Sequence, residues 1–379
     1  MTGPNGDLIV ELVDDLAAFD ALRAEWDPAL EDSHDPNVFL TWDWLRTWWQ
    51  HFGEPDQNAT LHVVVVRDDD GLVAAAPLYR VVERAGPLRA VVLRPISYDA
   101  GDYGGIVLAR RIDEAVDVVL AHLGGQIRRG VGTIHLSRLT TDSRFLARLR
   151  ARLAATGAAR GLVAAETPLD GACPFADVSG EYDLRKHLKK HKIRQRLRRI
   201  SEKHDVDFVW YTAATLDEGL RRFVDVHQTR WRGREGELQG QMADARHEAF
   251  LMDAIRAMDR ENRLRLLTLN ADGGTVAAEL DFEFARRVYM FKSAFDPGFS
   301  DFSPGQLLTY RAFEDGIGRG VAVFDFLRGD HPYKRRWADQ DRSLISVTLR
   351  PSGMAGRLAL TRLRALRLAQ RMRRSVGDR

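Results

Sequence analysis

The sequence predicts an α+β chain with α/β stretches, organised as two domains. Three observations carry that expectation. The chain has 379 residues, more than one ordinary hydrophobic core holds, and the usual domain size divides it in two. Segments of strand periodicity alternate with segments of helical periodicity, yet several strands follow one another directly, so hairpins are mixed with crossovers. Between the halves, TPLDGACPFADVSGEYD (167–183) turns to small residues, proline and glycine and reads as the connection. The expected division is 1–170, 171–350 and a basic amphipathic helix at 351–379.

In the first half, LIVELV (8–13) is a strand and the periodic segment 14–26 a helix that Asp14 or Asp15 can cap. FLTWDWLRTWWQHFG (39–53) repeats aromatic residues every three or four positions and stops at Gly53, the pattern of one core-forming helix. β-rich runs follow at 61–67, 72–82 and 88–93, then the loop SYDAGDYGG, a helix over 113–129, a strand VGTIHL, a helix over 142–154 and a strand at 160–166. The loop is long enough to line a cleft, where Asp102 and Tyr103 would contact a substrate.

The second half opens with a basic helix holding ten Lys or Arg residues between Arg185 and Lys203. A strand (205–211), helices over 216–231 and 244–260, and three strands joined by ADGG and ARR come next, an antiparallel meander. SPGQLLTYRAFEDGIGRG then starts a helix: Ser303 suits an N-cap, Pro304 the first helical position, and Gln306 completes a capping-box pattern. Its free N–H groups and dipole would favour an anion. The strand VAVFDFL (321–327) closes the domain.

Composition, with 45% hydrophobic and 29% charged residues, excludes wholesale disorder. The longest apolar run, VVVV at 63–66, is strand-sized, well short of the roughly 18–20 residues of a membrane span, and the start lacks a signal-peptide pattern. A cytoplasmic protein is expected. The single Cys173 excludes an internal disulfide and any multi-cysteine metal site, and no metal is expected. Patterns of the GxSxG, HExxH and Walker kinds are absent. Net charge is only +2, but the basic helix and the C-terminal segment 357–374 are strongly cationic. The latter suits docking on the protein itself or a peripheral contact with an anionic membrane.

Candidate chemistry gathers in the second half. Glu279 and Asp281 alternate with apolar neighbours and share one sheet face, which is either the wet face of the sheet or a pair of bases. Asp325 interrupts an apolar strand and wants a partner, Arg328 or Lys334, if it is not itself catalytic. Gly329, Asp330, His331 and Pro332 form a turn that aims Tyr333 and Lys334.

The segments FSPGQLL and FDFLRGDHPYKRRW, together with the basic helix before them, resemble the CelD/BcsL type of GNAT acyltransferase, whose tandem fold is similar to that of the FemABX aminoacyltransferases. The resemblance covers most of the chain and is strongest over 181–340. It implies two tandem GNAT-like domains, each a mixed, mostly antiparallel sheet flanked by helices. It further implies an acyl-CoA co-substrate and an amine acceptor on a small molecule, sugar or peptide. By the same resemblance Tyr333 protonates the leaving thiolate, Lys334 stabilises developing charge, and Asp325 or Glu279 orients or deprotonates. Ser303, Gly305, Gln306 and Leu307 would face the donor, and Asp102, Tyr103, Arg328 and His331 the acceptor. Ordinary GNAT enzymes wrap pyrophosphate with a Q/R-x-x-G-x-G/A loop, whereas FSDFSPG offers one glycine and a proline without a donor. Two alternatives therefore stay open: Fem-like transfer from aminoacyl-tRNA held by the basic helix 185–204, and a non-catalytic GNAT-derived binding protein in envelope polysaccharide production.

Overall fold

The computed structural model describes residues 7–85, 88–156, 162–180, 182–184, 192–231 and 245–354, with Leu358, Thr361 and Ala365. They fall into two compact units, one from residues 1–170 and 343–379 and one from 171–342.

The first unit holds β1 (Ile9–Val13), β2 (Ala59–Leu61), β3 (Val63–Asp68), β4 (Gly71–Ala76), β5 (Leu78–Ala85), β6 (Leu88–Pro95), β7 (Val107–Leu108), β8 (Thr133–Thr140) and β9 (Leu162–Pro168). Its strands make two sheets rather than the single one expected. Pro77 explains the split: it interrupts the run 72–82, cannot donate to a ladder, and sends β4 and β5 to different sheets. Val63, Val64, Val65 and Val66 are all fully buried, so the strand is covered on both faces, which is why it reads as an unbroken apolar run. Helices Ile112–Arg128 and Arg144–Thr156 supply Val116, Val119, Leu123, Phe145, Leu146 and Leu149 to the same core.

The aromatic segment is core, but it is not one helix. A 3-10 turn (Val38–Leu40), an α-helix (Trp42–Trp48) and a π turn (Trp49–Gly53) succeed one another. Buried indoles still need acceptors, and Trp44 donates to Ser97 Oγ at 2.8 Å and Trp48 to Asp99 Oδ1 at 2.9 Å. Gly53 is dictated by contact: a Cβ there would lie 2.1 Å from the Trp49 ring. Gly53→Ala is expected to cost about 1–3 kcal/mol through overpacking, read as a lowered midpoint in thermal denaturation followed by tryptophan fluorescence.

The second unit holds β10 (Cys173–Asp177), β11 (Val206–Tyr211), β12 (Leu264–Ala271), β13 (Gly274–Phe284), β14 (Arg287–Phe295), β15 (Val323–Asp325) and β16 (Gln340–Arg342). They form one sheet in the order β11-β12-β13-β14-β15-β10-β16. All pairs are antiparallel except β14–β15, which are parallel and joined through helix Pro304–Gly318. The expected meander is β12-β13-β14. Helix Leu216–Trp231 packs on β13 and β14, and helix Pro304–Gly318 packs on β12, β13, β14 and the basic helix Ile193–Ser201. Residues 185–191 of the expected basic helix lie outside the described residues.

Two features depart from the expected division. The connecting segment contains β10, which sits between β15 and β16 inside the second sheet. The last strand, β17 (Leu344–Pro351), belongs to the first unit, paired with β8 and β9, and Ile345, Val347 and Leu349 enter its core. The expected C-terminal helix 351–379 lies mostly outside the described residues. No described helix is long and apolar enough to cross a membrane.

Candidate functional site

The chemistry of the second unit starts from a parting of strands. β14 and β15 pair only from Arg287 to Tyr289 against Val323 to Asp325. Beyond that, β14 runs on to Phe295, while the chain after β15 turns toward β10, with Phe326 N–H donating to Pro174 O at 2.9 Å. A wedge opens, and helix Pro304–Gly318 begins beside it. The wedge and helix start bound a cavity of about 630 Å3, whose walls include Phe291, Lys292, Ser293 and Phe295 of β14, Ser303, Gly305, Gln306 and Thr309 of the helix, and His331, Tyr333 and Arg336 of the turn, with His227 opposite. Among the described residues no carboxylate lines it, whereas two full cations and two imidazoles do. Such a wall favours an anionic ligand.

The helix start differs in detail from the expected capping box. Ser303 takes a left-handed conformation (φ 53°) and its side chain makes no cap. Gln306 N–H instead donates to Ser303 O at 2.9 Å. Gln306 is 7% exposed, and its Oε1 is buried without a hydrogen-bond partner. The space beyond Gly305 Cα is open, and its N–H, in the first turn, has no acceptor within the helix. Leu307 is buried in the core and does not line the cavity.

Behind Thr309 lie the two β13 carboxyls. Glu279 and Asp281 are each 3% exposed, which corrects the wet-face expectation: helix Pro304–Gly318 covers that face. Thr309 Oγ1 lies 3.0 Å from Gly305 O and 3.4 Å from Glu279 Oε2. Burial pushes Glu279 up to about 7, partly offset by its hydrogen bonds with Asp281 and Thr309. Burial, then the neighbouring Glu279 charge, raise Asp281 well above the carboxylate range. The pair therefore holds a proton near neutrality.

A carboxyl that binds its proton more tightly folded than unfolded stabilises the protein fully below the unfolded value, and the stability is lost as pH rises through the folded value. For Glu279, whose value moves from 4.5 to about 7, the loss falls between those pH values and amounts to roughly 3 kcal/mol. Glu279→Gln should abolish that loss, so its melting temperature gains on wild type as pH rises from 5 to 8. A constant offset between the two curves would refute the assignment.

Asp325 is fully buried and has a structural pairing, although not the one expected. It accepts from Arg287 Nη1 at 3.1 Å, Arg342 Nη1 at 3.4 Å and Leu327 N–H at 2.9 Å, so the arginines that pair with it come from β14 and β16. Lys334 is 5% exposed and does not line the cavity. Its ammonium donates to the carbonyls of Phe326, Leu327 and Arg328 at 2.6, 3.3 and 2.9 Å, which staples the turn. Gly329 is held at φ 108°, where a Cβ would stand 3.2 Å from His331 Nε2. The turn so fixed leaves Tyr333 on the cavity wall, 42% exposed, with its ring parallel to His331 at 6.0 Å. Arg328 is exposed and outside the cavity lining.

Of the expected site residues, Ser303, Gly305, Gln306, His331 and Tyr333 are thus brought together. Asp102 and Tyr103 belong to the first unit, where Tyr103 is buried against Phe39. Sequence reasoning passed over Lys292, Thr309, His227 and Arg336. Lys292 had a readable signal, a charge late in the otherwise apolar strand RVYMFKSAF.

Residues 187–335 match the family described as Acetyltransferase (GNAT) domain. Among solved structures the chain is similar to FemX (11% identity, 90% of this chain and 97% of that one, TM-score 0.60). It is also similar to a conserved protein of unknown function from Bacteroides thetaiotaomicron VPI-5482 (12%, 90% and 100%, TM-score 0.54) and to L-PGS from Bacillus licheniformis (13%, 94% and 97%, TM-score 0.51). At such identities the likeness is one of fold. No curated protein matches the sequence significantly.

Proposed function

We propose that the chain is an N-acyltransferase of the CelD/BcsL type, moving an acyl group from an acyl-CoA thioester to an amine of a small molecule, sugar or peptide. The observation that carries the reading is the cavity, where the helix start, the stretch of β14 past Tyr289 and Tyr333 meet on a wall that, among the described residues, has cations but no carboxylate. The acceptor nitrogen attacks the thioester carbon, a C–N bond forms, and the carbonyl oxygen takes negative charge. Gly305 N–H and the backbone of β14 past Tyr289 are the donors placed to meet that charge. Collapse breaks the C–S bond, and Tyr333 gives its hydroxyl proton to the departing thiolate. The acceptor's surplus proton passes to Thr309 Oγ1 as the threonine proton passes to Glu279, whose value near 7 suits a base at neutral pH. Lys334 and Asp325 act as positioning residues, the first for the turn and the second for the end of β15.

Transfer from aminoacyl-tRNA is the second reading. Pro304 removes one donor from the phosphate-facing loop, and helix Ile193–Ser201 exposes Arg194 and Arg199. Native mass spectrometry of the purified protein separates the two: a co-bound mass equal to a coenzyme A species supports the first, and an RNA-only load with no coenzyme A uptake on soaking overturns it.

A further inference from the structure

One charge on the basic helix has no place in this chemistry. Arg196 stands on helix Ile193–Ser201, and its Nη1 is buried without a hydrogen-bond partner. Among the described residues Arg196 forms no ion pair; the acids Glu202 and Asp272 pair with Arg198 at 3.2 Å and with His204 at 2.7 Å. Its neighbours are cations. Burial, then the charges of Arg336 and Arg199, pull its pKa below the usual guanidinium value. Arg336 is part of the cavity wall. The Arg199 guanidinium and the Lys203 ammonium lie 6.0 and 5.7 Å from the ring of Phe302, the residue immediately before Ser303. Arg196 thus stands in the field of Arg336 on the cavity wall and of Arg199, while Arg199 and Lys203 flank Phe302 next to the helix start. Burying a guanidinium nitrogen with no acceptor, beside like charges, is costly in the empty protein. A planar guanidinium is also the group that matches phosphate oxygens in pairs.

We infer that Arg196 and Arg336, with Arg199 and Lys203 at the rim, form a phosphate subsite that completes the donor site. The inference rests on the proposed donor reading only for the molecule that carries the phosphate. The pyrophosphate of coenzyme A and the phosphodiester of an aminoacylated RNA present the same chemistry. The subsite replaces with side chains the backbone donors that FSDFSPG lacks.

The test is calorimetric titration of the full chain, at low ionic strength, with inorganic pyrophosphate, coenzyme A and a short single-stranded RNA. Pyrophosphate should bind wild type, and Arg196→Gln and Arg336→Gln should each weaken it about tenfold or more, the loss of a charge-assisted pair. Arg198→Gln, on the same helix but already paired with Glu202, should stay within about twofold. Arg196→Gln should melt no lower than wild type, since it removes an unpartnered buried charge. Weakening by Arg198→Gln equal to that by Arg196→Gln, or no weakening by Arg196→Gln, overturns the subsite. Coenzyme A binding that ignores Arg196 overturns the subsite and leaves the donor reading standing. Pyrophosphate binding that depends on Arg196, with no coenzyme A binding, upholds the subsite and overturns the donor reading. RNA that competes with pyrophosphate in wild type and not in Arg196→Gln upholds the subsite with RNA as the source.

Discussion

Tyr333→Phe is expected to lower the proposed acyl transfer about 10²–10³-fold while leaving coenzyme A binding within about twofold. The magnitude is that of removing a general acid from a reaction whose leaving group must be protonated. The selectivity follows from placement. Tyr333 sits at the edge of the cavity, 42% exposed, and the turn that carries it is held by the Lys334 staple and by Gly329, neither of which depends on the phenol oxygen. Phenylalanine keeps the ring on His331 and loses only the proton donor. The check is a stopped assay of thiol release on the purified variant, beside calorimetric titration with coenzyme A. Equal loss of binding and rate would make Tyr333 a ligand contact, and no loss would remove it from the reaction.

Asp325→Ala destabilises the second unit by about 3–5 kcal/mol, the range for breaking a buried ion pair from one side. Asp325 draws Arg287 of β14 and Arg342 of β16 to the end of β15, and it accepts Leu327 N–H, where the backbone takes φ 59°. Without it two guanidinium groups, each largely buried, lose the carboxylate they share. Asp325→Asn keeps an acceptor for Leu327 but not the charge and should fall between alanine and wild type. Urea denaturation followed by circular dichroism reads the order. A loss below about 1 kcal/mol for alanine would show that the arginines are solvated well enough to stand alone.

Much of this architecture was legible because local signals agreed with the tertiary fold. ADGG and ARR delimit the meander, and both turns take left-handed backbone: Asp272 and Gly273 in the first, Ala285 and Arg286 in the second, which manages without glycine. The start of helix Pro304–Gly318 was readable from Ser303-Pro304-Gly305. Its chemistry was not, since the capping pattern is the same whether Ser303 caps the helix or turns left-handed. Glu279 and Asp281 show the same limit. Strict alternation reads alike for a wet face and for a face covered by a helix, and only packing decides. Asp325 announced that it needed a partner, but Arg287 and Arg342 stand 38 and 17 residues away and meet it through sheet pairing. β10 was hidden in a proline- and glycine-rich stretch because its strand character comes from β15 and β16 on either side. The place of Lys334 could be read beside Tyr333, whereas its inward direction depends on three carbonyls of the turn.

The central claim is that the cavity at the start of helix Pro304–Gly318 receives a coenzyme A thioester. Gly305 has open space beyond its Cα, so a bulky side chain there fills the cavity without striking the core. Titration of wild type and Gly305→Trp with acetyl-coenzyme A, with circular dichroism to verify the fold, tests the claim most directly. One saturable site in wild type that is abolished in Gly305→Trp is the predicted result. Equal binding by the two proteins, or none by wild type, would contradict it.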